Sequence, residues 1–237
     1  MAVLIASIVY GAARWQAHGA RAWQQVAPGV EISESWVESD GFWGGKVHIV
    51  ALRAAPSRIH IATGDLLRAD AWRRRTKALV AVNGGFFDES GHALGLRISR
   101  GVKKTALRSA NWGVFSVRDG RASIVHTRDF KMSKTIREAV QCGPRLVVDG
   151  RVTDLKPQWA RRTGIGIGRD GRVVLAVADG EMSLRDWAAL WAKSTGFNCR
   201  TALNLDGGTS TQLSLKTTRR SLEITGPNHV SDAVVIR

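Results

Sequence analysis

Three times the chain sets Asp-Gly between two strand-like runs: "VFSVRDGRASIV" (residues 114–125), "RLVVDGRV" (145–152) and "GIGIGRDGRVVLAVADG" (164–180). Asp-Gly accepts the positive φ angles of a two-residue hairpin turn, so each instance ties neighbouring strands together in antiparallel fashion. Asp119, Asp149 and Asp170 are therefore read as turn formers rather than as reactive groups. Helical periodicity occurs in two places. "SLRDWAALWAKSTG" (183–196) has a capping serine, Ser183, an apolar stripe of Leu184, Trp187, Ala188 and Trp191, and Gly196 as a stop. "LLRADAWRRRTKA" (66–78) reads as a second helix. "KVHIVALR" (46–53) and "RIHIATG" (58–64) alternate like strands around a loop at Pro56, with His48 and His60 on strand surfaces. No linker or repeat divides the chain. The pattern predicts an α+β fold: a single domain with a mixed, mostly antiparallel, hairpin-rich sheet and a few packed helices.

The first residues, "MAVLIASIVYGAARWQAHGARAW", hold an apolar run too short to span a bilayer comfortably. Ala20-Arg21-Ala22 fits a small-x-small cleavage site, so residues 1–22 are expected to be a signal peptide cut before Trp23. That leaves residues 23–237 as the domain, exported to the periplasm or the exterior, with no stable membrane span after processing. The basic n-region of such a signal is missing; an uncleaved anchor or a first core strand are the other readings. An exported chain with two cysteines pairs them, which makes Cys142 and Cys199 a disulfide candidate; the other reading is two buried free thiols.

The 237 residues carry a formal charge of +15. A solvated basic surface accounts for this, as does an anionic partner such as a phosphate-bearing glycan. Nucleic acid is not expected. The tight basic clusters, "RRRTK" (73–77) and "KTTRR" (216–220), lack the interleaved aromatics of a single-strand reader.

Two strands end alike. "ALVAVNGGFFD" (78–88) and "ALNLDGGTST" (202–211) both run from apolar residues into one polar side chain and Gly-Gly. Strand alternation places Asn204 and Asp206 on one face. Gly207 and Gly208 allow a sharp turn, and Thr209, Ser210 and Thr211 add hydroxyls and N–H groups that can cradle an anion. Asn83, Gly84 and Gly85 form the facing wall, with Phe86 and Phe87 able to line it. Arg161 and Arg162 enter a strand with glycines at 164, 166 and 168, whose bare face would let something lie close; a guanidinium there could fork onto phosphate.

In order and spacing, "VNGGFFD", "GLRISRG" (95–101), "CGPRLVVDG" (142–150), "RRTGIGI" (161–167), "VADG" (177–180) and "ALNLDGGTST" together resemble the phosphodiester glycosidase family over roughly residues 40–236. Thr209 stands where the family more often has a third glycine, and Gly164 where it has alanine. The resemblance implies hydrolysis of a sugar–phosphate diester at the sugar carbon, with N-acetylglucosamine as a known sugar of the family. Phosphate monoester is a good leaving group, with a second pKa of about 6. One carboxylate with cationic and N–H donors can then replace the usual carboxylate pair. Expected roles follow. Arg162, Gly84, Gly85, Gly207, Gly208, Thr209 and Ser210 hold phosphate. Asp206 activates water or stabilises the positive sugar centre, Asn83 positions substrate, and Asp179 or Glu181 is a reserve carboxylate. A divalent cation, Ca or Mg, shared by Asp206, Asp179 and phosphate oxygens is compatible with these residues. The alternative is a non-catalytic module that binds phosphorylated or acidic glycans.

Overall fold

A computed structural model of the chain describes residues 22–39 and 45–237; the expected signal peptide lies almost wholly outside them. Three sheets make up the described part, and all of their pairings are antiparallel. The first has the order β1 (Gln24–Ala27), β2 (Val30–Ser39), β3 (Gly45–Ala54), β14 (Val173–Ser183), β13 (Trp159–Gly168), β15 (Cys199–Asn204), β11 (Arg145–Val148), β12 (Arg151–Val152). The second runs β7 (Val102–Thr105), β6 (Arg97–Ser99), β10 (Ile136–Cys142), β8 (Gly113–Arg118), β9 (Arg121–His126). The third runs β17 (Ser221–Ile224), β16 (Leu213–Lys216), β5 (Val80–Asn83), β18 (Val230–Ile236), β4 (Ile59–Leu67).

The Asp-Gly hairpins form as the sequence predicts, joining β8 to β9, β11 to β12 and β13 to β14. In the first two, both turn residues take positive φ: Asp119 49° and Gly120 71°, Asp149 48° and Gly150 78°. The mostly antiparallel sheet and few helices are found as expected, but the α+β label gives way to a mostly-β fold: the described residues are 53% strand and hold two α-helices, α1 (Ala69–Thr76) and α2 (Leu184–Ala192). The first helix is shorter than its sequence pattern suggests. Leu66 and Leu67 extend β4, and Lys77 turns left-handed at φ 53° to end it. The second is capped as expected, with Ser183 Oγ accepting from the Asp186 N–H.

A central core draws Ile32, Val50, Leu175, Leu203 and Ile165 from the first sheet, Phe115 and Val140 from the second, and Val82, Leu213 and Val234 from the third. The other face of the first sheet packs on α2, where Trp187 and Trp191 meet edge to face at 5.4 Å. The bare glycine face is filled here. A Cβ on Gly164 or on Gly166 would stand 2.7 Å from the Trp191 ring. The close neighbour is thus the protein's own tryptophan.

Cys142 and Cys199 are free and buried, so the disulfide expectation is corrected. Cys142 faces the central core, whereas Cys199 lies in the core beneath α2. On β15 itself, Leu203 points into the first core and Ala202 into the second, so the first sheet stands between the two thiols.

Candidate active site

The two Gly-Gly turns lie side by side. The N–H of Asp206, just past β15, donates to the carbonyl of Gly84, just past β5, at 3.0 Å. Asn83 fastens the junction. Its Nδ2 donates to the Asp206 carbonyl at 2.7 Å, and its Oδ1 accepts from Thr163 Oγ1 at 2.7 Å and from the Gln212 N–H at 3.1 Å. Asn83 is wholly buried. It belongs to the frame and not, as expected, to the substrate-facing wall.

Gly84 and Gly85 are committed in the same way. Their N–H groups donate to Asp232, to its carbonyl at 2.9 Å and its Oδ1 at 3.0 Å. The close approach demands glycine: a Cβ on Gly84 would overlap Asp232 Oδ1, and one on Gly85 would overlap Arg97 Nη2. Asp232 Oδ2 lies 2.9 Å from Arg97 Nε, with both side chains 0% exposed. The Arg97 guanidinium also donates to the carbonyls of Leu96, Gln141 and Phe86 at 3.0–3.1 Å. A buried ion pair whose guanidinium also donates from both Nη atoms to main-chain carbonyls makes a rigid support, costly to break from one side.

On this support sits the Asp206 carboxyl, its pKa pushed up to about 6. Burial is the main cause, and the Asp232 charge adds to it. A hydrogen bond from Ser210, the Gly207 N–H and the Arg97 charge act in the opposite direction. The Gly207 N–H donates to Asp206 Oδ1 at 3.0 Å. Gly208 takes φ 59° and opens a short 3-10 turn, Gly208–Ser210, in which Thr209 is exposed and Ser210 buried. Beneath the carboxyl lies Cys142, whose thiol is pushed up to about 12 by burial and by the Asp206 charge, against the pull of Arg97. It is therefore a packing group and not a nucleophile. Phe86, paired with Trp112 at 5.1 Å, stands nearby; Trp112 covers Gly143.

Other expected residues fall elsewhere. Arg162 points to the α2 face, where it donates to the carbonyls of Met182, at 3.1 Å, and Gln158. Burial lowers its pKa to about 10. The next residue, Thr163, faces Asn83, because strand side chains alternate. Arg161 is the arginine on the site side. Its Nη2 pairs with Asp179 Oδ1 at 2.7 Å, and its carbonyl would lie 2.8 Å from a Cβ on Gly207. Asp179 is thus at the rim, held by Arg161. The Asn204 amide donates to the carbonyls of Gly143 and Leu205. β15 ends at Asn204, so the expected common direction with Asp206 lapses there. Among the described residues, no group of three or more His, Cys, Asp or Glu converges as a metal site. A cavity of about 550 Å³ opens beside Arg97 and Ser231, bounded by Thr63, Leu66, His92 and Lys104.

Sequence reasoning missed Arg97, Asp232, Thr163 and Gln212. One signal was present: Asp232 is a lone carboxylate inside the apolar strand "VSDAVVI". Such a group needs a buried partner.

Fold and site together define a mostly antiparallel protein with a carboxyl group of raised pKa at the junction of two glycine turns. The chain belongs to the phosphodiester glycosidase family, whose model matches residues 76–237. It is 36% identical over 141 residues to the uncharacterized protein YigE of Escherichia coli K12, a match covering 54% of this chain and 55% of that relative's length. The fold is similar to that of the zebrafish N-acetylglucosamine-1-phosphodiester alpha-N-acetylglucosaminidase catalytic domain auto-inhibited by pro-peptide, with TM-score 0.73, 17% identity, and 92% of this chain and 87% of that one covered. It is also similar to that of a protein described as exported from Burkholderia pseudomallei, with TM-score 0.61, 14% identity and coverage of 81% and 74%.

Proposed function

We propose that the protein is an exported hydrolase that cleaves the glycosidic bond of a sugar-1-phosphate diester in a glycan. The observation that carries this reading is the Asp206 carboxyl, with its pKa near 6, at the junction of the two glycine turns. A carboxyl group poised near neutrality suits proton transfer at ordinary pH. In its ionised form Asp206 stabilises the positive charge that develops on the sugar carbon and takes a proton from the attacking water. Water oxygen bonds to that carbon as the carbon–oxygen bond to phosphate breaks, and the electron pair leaves with the phosphate monoester. Contacts to the phosphate fall to the Gly207-Gly208-Thr209 turn and to Arg161, since Arg162 faces the other way. Asp179 is the reserve carboxylate at the rim. The net charge of +15 draws an anionic polymer or glycolipid toward the site. N-acetylglucosamine is the first sugar to test, given the activity for which the zebrafish relative is named. Export, to the periplasm or the exterior, is supported by the N-terminal apolar run and by the description of the Burkholderia protein.

A second reading, a binding module that does not cleave, is favoured by one fact: Asn83, Gly84 and Gly85 already spend polar groups on the protein itself. Product analysis separates the two. The purified chain is incubated with an N-acetylglucosamine-1-phosphate diester, with and without a divalent metal. Free sugar plus phosphate monoester supports the hydrolase. Sugar-1-phosphate would mean P–O cleavage and would overturn the mechanism. Saturable binding with no product would favour the module.

A further inference from the structure

We propose that a shelf on the first sheet, leading from the Asp206 turn to Trp36, is a second carbohydrate subsite that binds the glycan beyond the cleaved linkage. This rests on the glycan reading above. Trp36 on β2 is 65% exposed, yet it is held in place. Its ring stacks on His48 with centroids 4.6 Å apart and planes 17° apart. His48 Nε2 lies 3.3 Å from Glu34 Oε2, and Glu34 Oε1 accepts from Arg220 at 2.8 Å. One ring face is braced on His48, while most of the side chain stays exposed.

Register carries the row toward the site. Trp36 is opposite His48, and His48 is opposite Asp179. Asp179 pairs with Arg161, whose carbonyl abuts Gly207 beside Asp206. All four lie on the face that elsewhere buries Ile32, Val50, Val177 and Ile165 in the central core. Here that face reaches solvent, with Asp179 42% and Arg161 22% exposed. Three strand-to-strand steps span about 14 Å, enough for a few sugar rings.

The residue types fit a sugar chain. A pyranose presents an apolar C–H face to an indole and hydroxyls to its surroundings, where the carboxylates of Asp179 and Glu34 accept and the planar guanidinium of Arg161 donates. A nucleic acid would meet those two carboxylates with its phosphates. A protein partner would need a wider apolar patch than one ring supplies.

Calorimetry on the full chain tests this, in the Asp206→Asn background so that binding is read without turnover. The probes are tetramers and monomers of N-acetylglucosamine, glucose and mannose. The expected result is that one tetramer binds at least about tenfold tighter than its monomer. Trp36→Ala should remove that preference, whereas Met132→Ala, at an exposed position on another sheet's connection, should not. Equal binding of tetramer and monomer, no binding of any tetramer, or a preference that survives Trp36→Ala would overturn the shelf. The two readings fail separately. Trp36-dependent binding without hydrolysis by the wild-type chain keeps the shelf and discards the hydrolase. Hydrolysis whose rate ignores glycan length keeps the hydrolase and discards the shelf.

Discussion

The side-chain amide of Asn83 donates to the main-chain carbonyl of Asp206 at 2.7 Å, across the seam between the third sheet and the first. A residue at the end of one strand thus sets the backbone that aims a carboxyl at the end of another. Asn83→Ala should lower kcat with little change in KM, because the side chain touches the frame and not the substrate. Losing buried hydrogen bonds should also cost about 1–3 kcal/mol of stability. A large rise in KM at unchanged kcat would instead make Asn83 a substrate ligand.

In the proposed reaction Asp206 acts in its ionised form, so kcat should rise with pH through about 6. Asp206→Asn should lower kcat by about 10²–10⁴-fold while the fold persists. Ser210→Ala removes a hydrogen bond that lowers the pKa, so the rising limb should move to higher pH. A profile flat from pH 4 to 8 would exclude Asp206 as the titrating group.

Stability should record the same shift. The folded chain binds the Asp206 proton more tightly than the unfolded chain, with a pKa of about 6 against the ordinary 3.8. Below the lower value both states are protonated and the group contributes nothing. Stability then falls as pH rises through this window, by up to roughly 3 kcal/mol. Asp206→Asn should therefore raise Tm at pH 7.5 and leave it nearly unchanged near pH 3.5, as thermal melts at the two pH values would show.

Arg97 and Asp232 form a fully buried pair. Asp232→Asn or Arg97→Met should each cost about 3–5 kcal/mol, since a lone buried charge or an unmatched donor remains. Asp232→Asn should also loosen the Gly85 N–H, visible as faster amide exchange there. Equal, small effects from both variants would show that the pair contributes little to the support.

Gly166→Ala would press a methyl against Trp191. The expected cost is about 1–3 kcal/mol, in part recovered by Trp191→Leu in the double variant. The thiols of Cys142 and Cys199 should react with a labelling reagent only after denaturation, and reductant should leave Tm unchanged, because both are free and buried.

Local pattern alone determined much of this fold. Asp-Gly accepts the positive φ of tight turns, so the hairpins and their antiparallel sense are legible in the order of residues. Apolar strands that stop at Gly-Gly mark the two turns that meet at the candidate site, and Ser183 marks the start of α2. Tertiary structure decided what each polar group faces. Arg161 and Arg162 are adjacent in sequence, yet strand alternation and the bulge between Ala160 and Arg162 place one at the rim of the site and the other under Met182. Arg97 meets Asp232 across 135 positions of sequence, and no local pattern specifies such a pairing. The sequence located the glycines and Asp206. Only the packing of three sheets around the central core brought Asn83, Thr163 and Gln212 together and buried the Asp206 carboxyl enough to move its pKa. Turns are set by backbone angles between neighbours; a site is set by burial and by contacts between residues far apart in the chain.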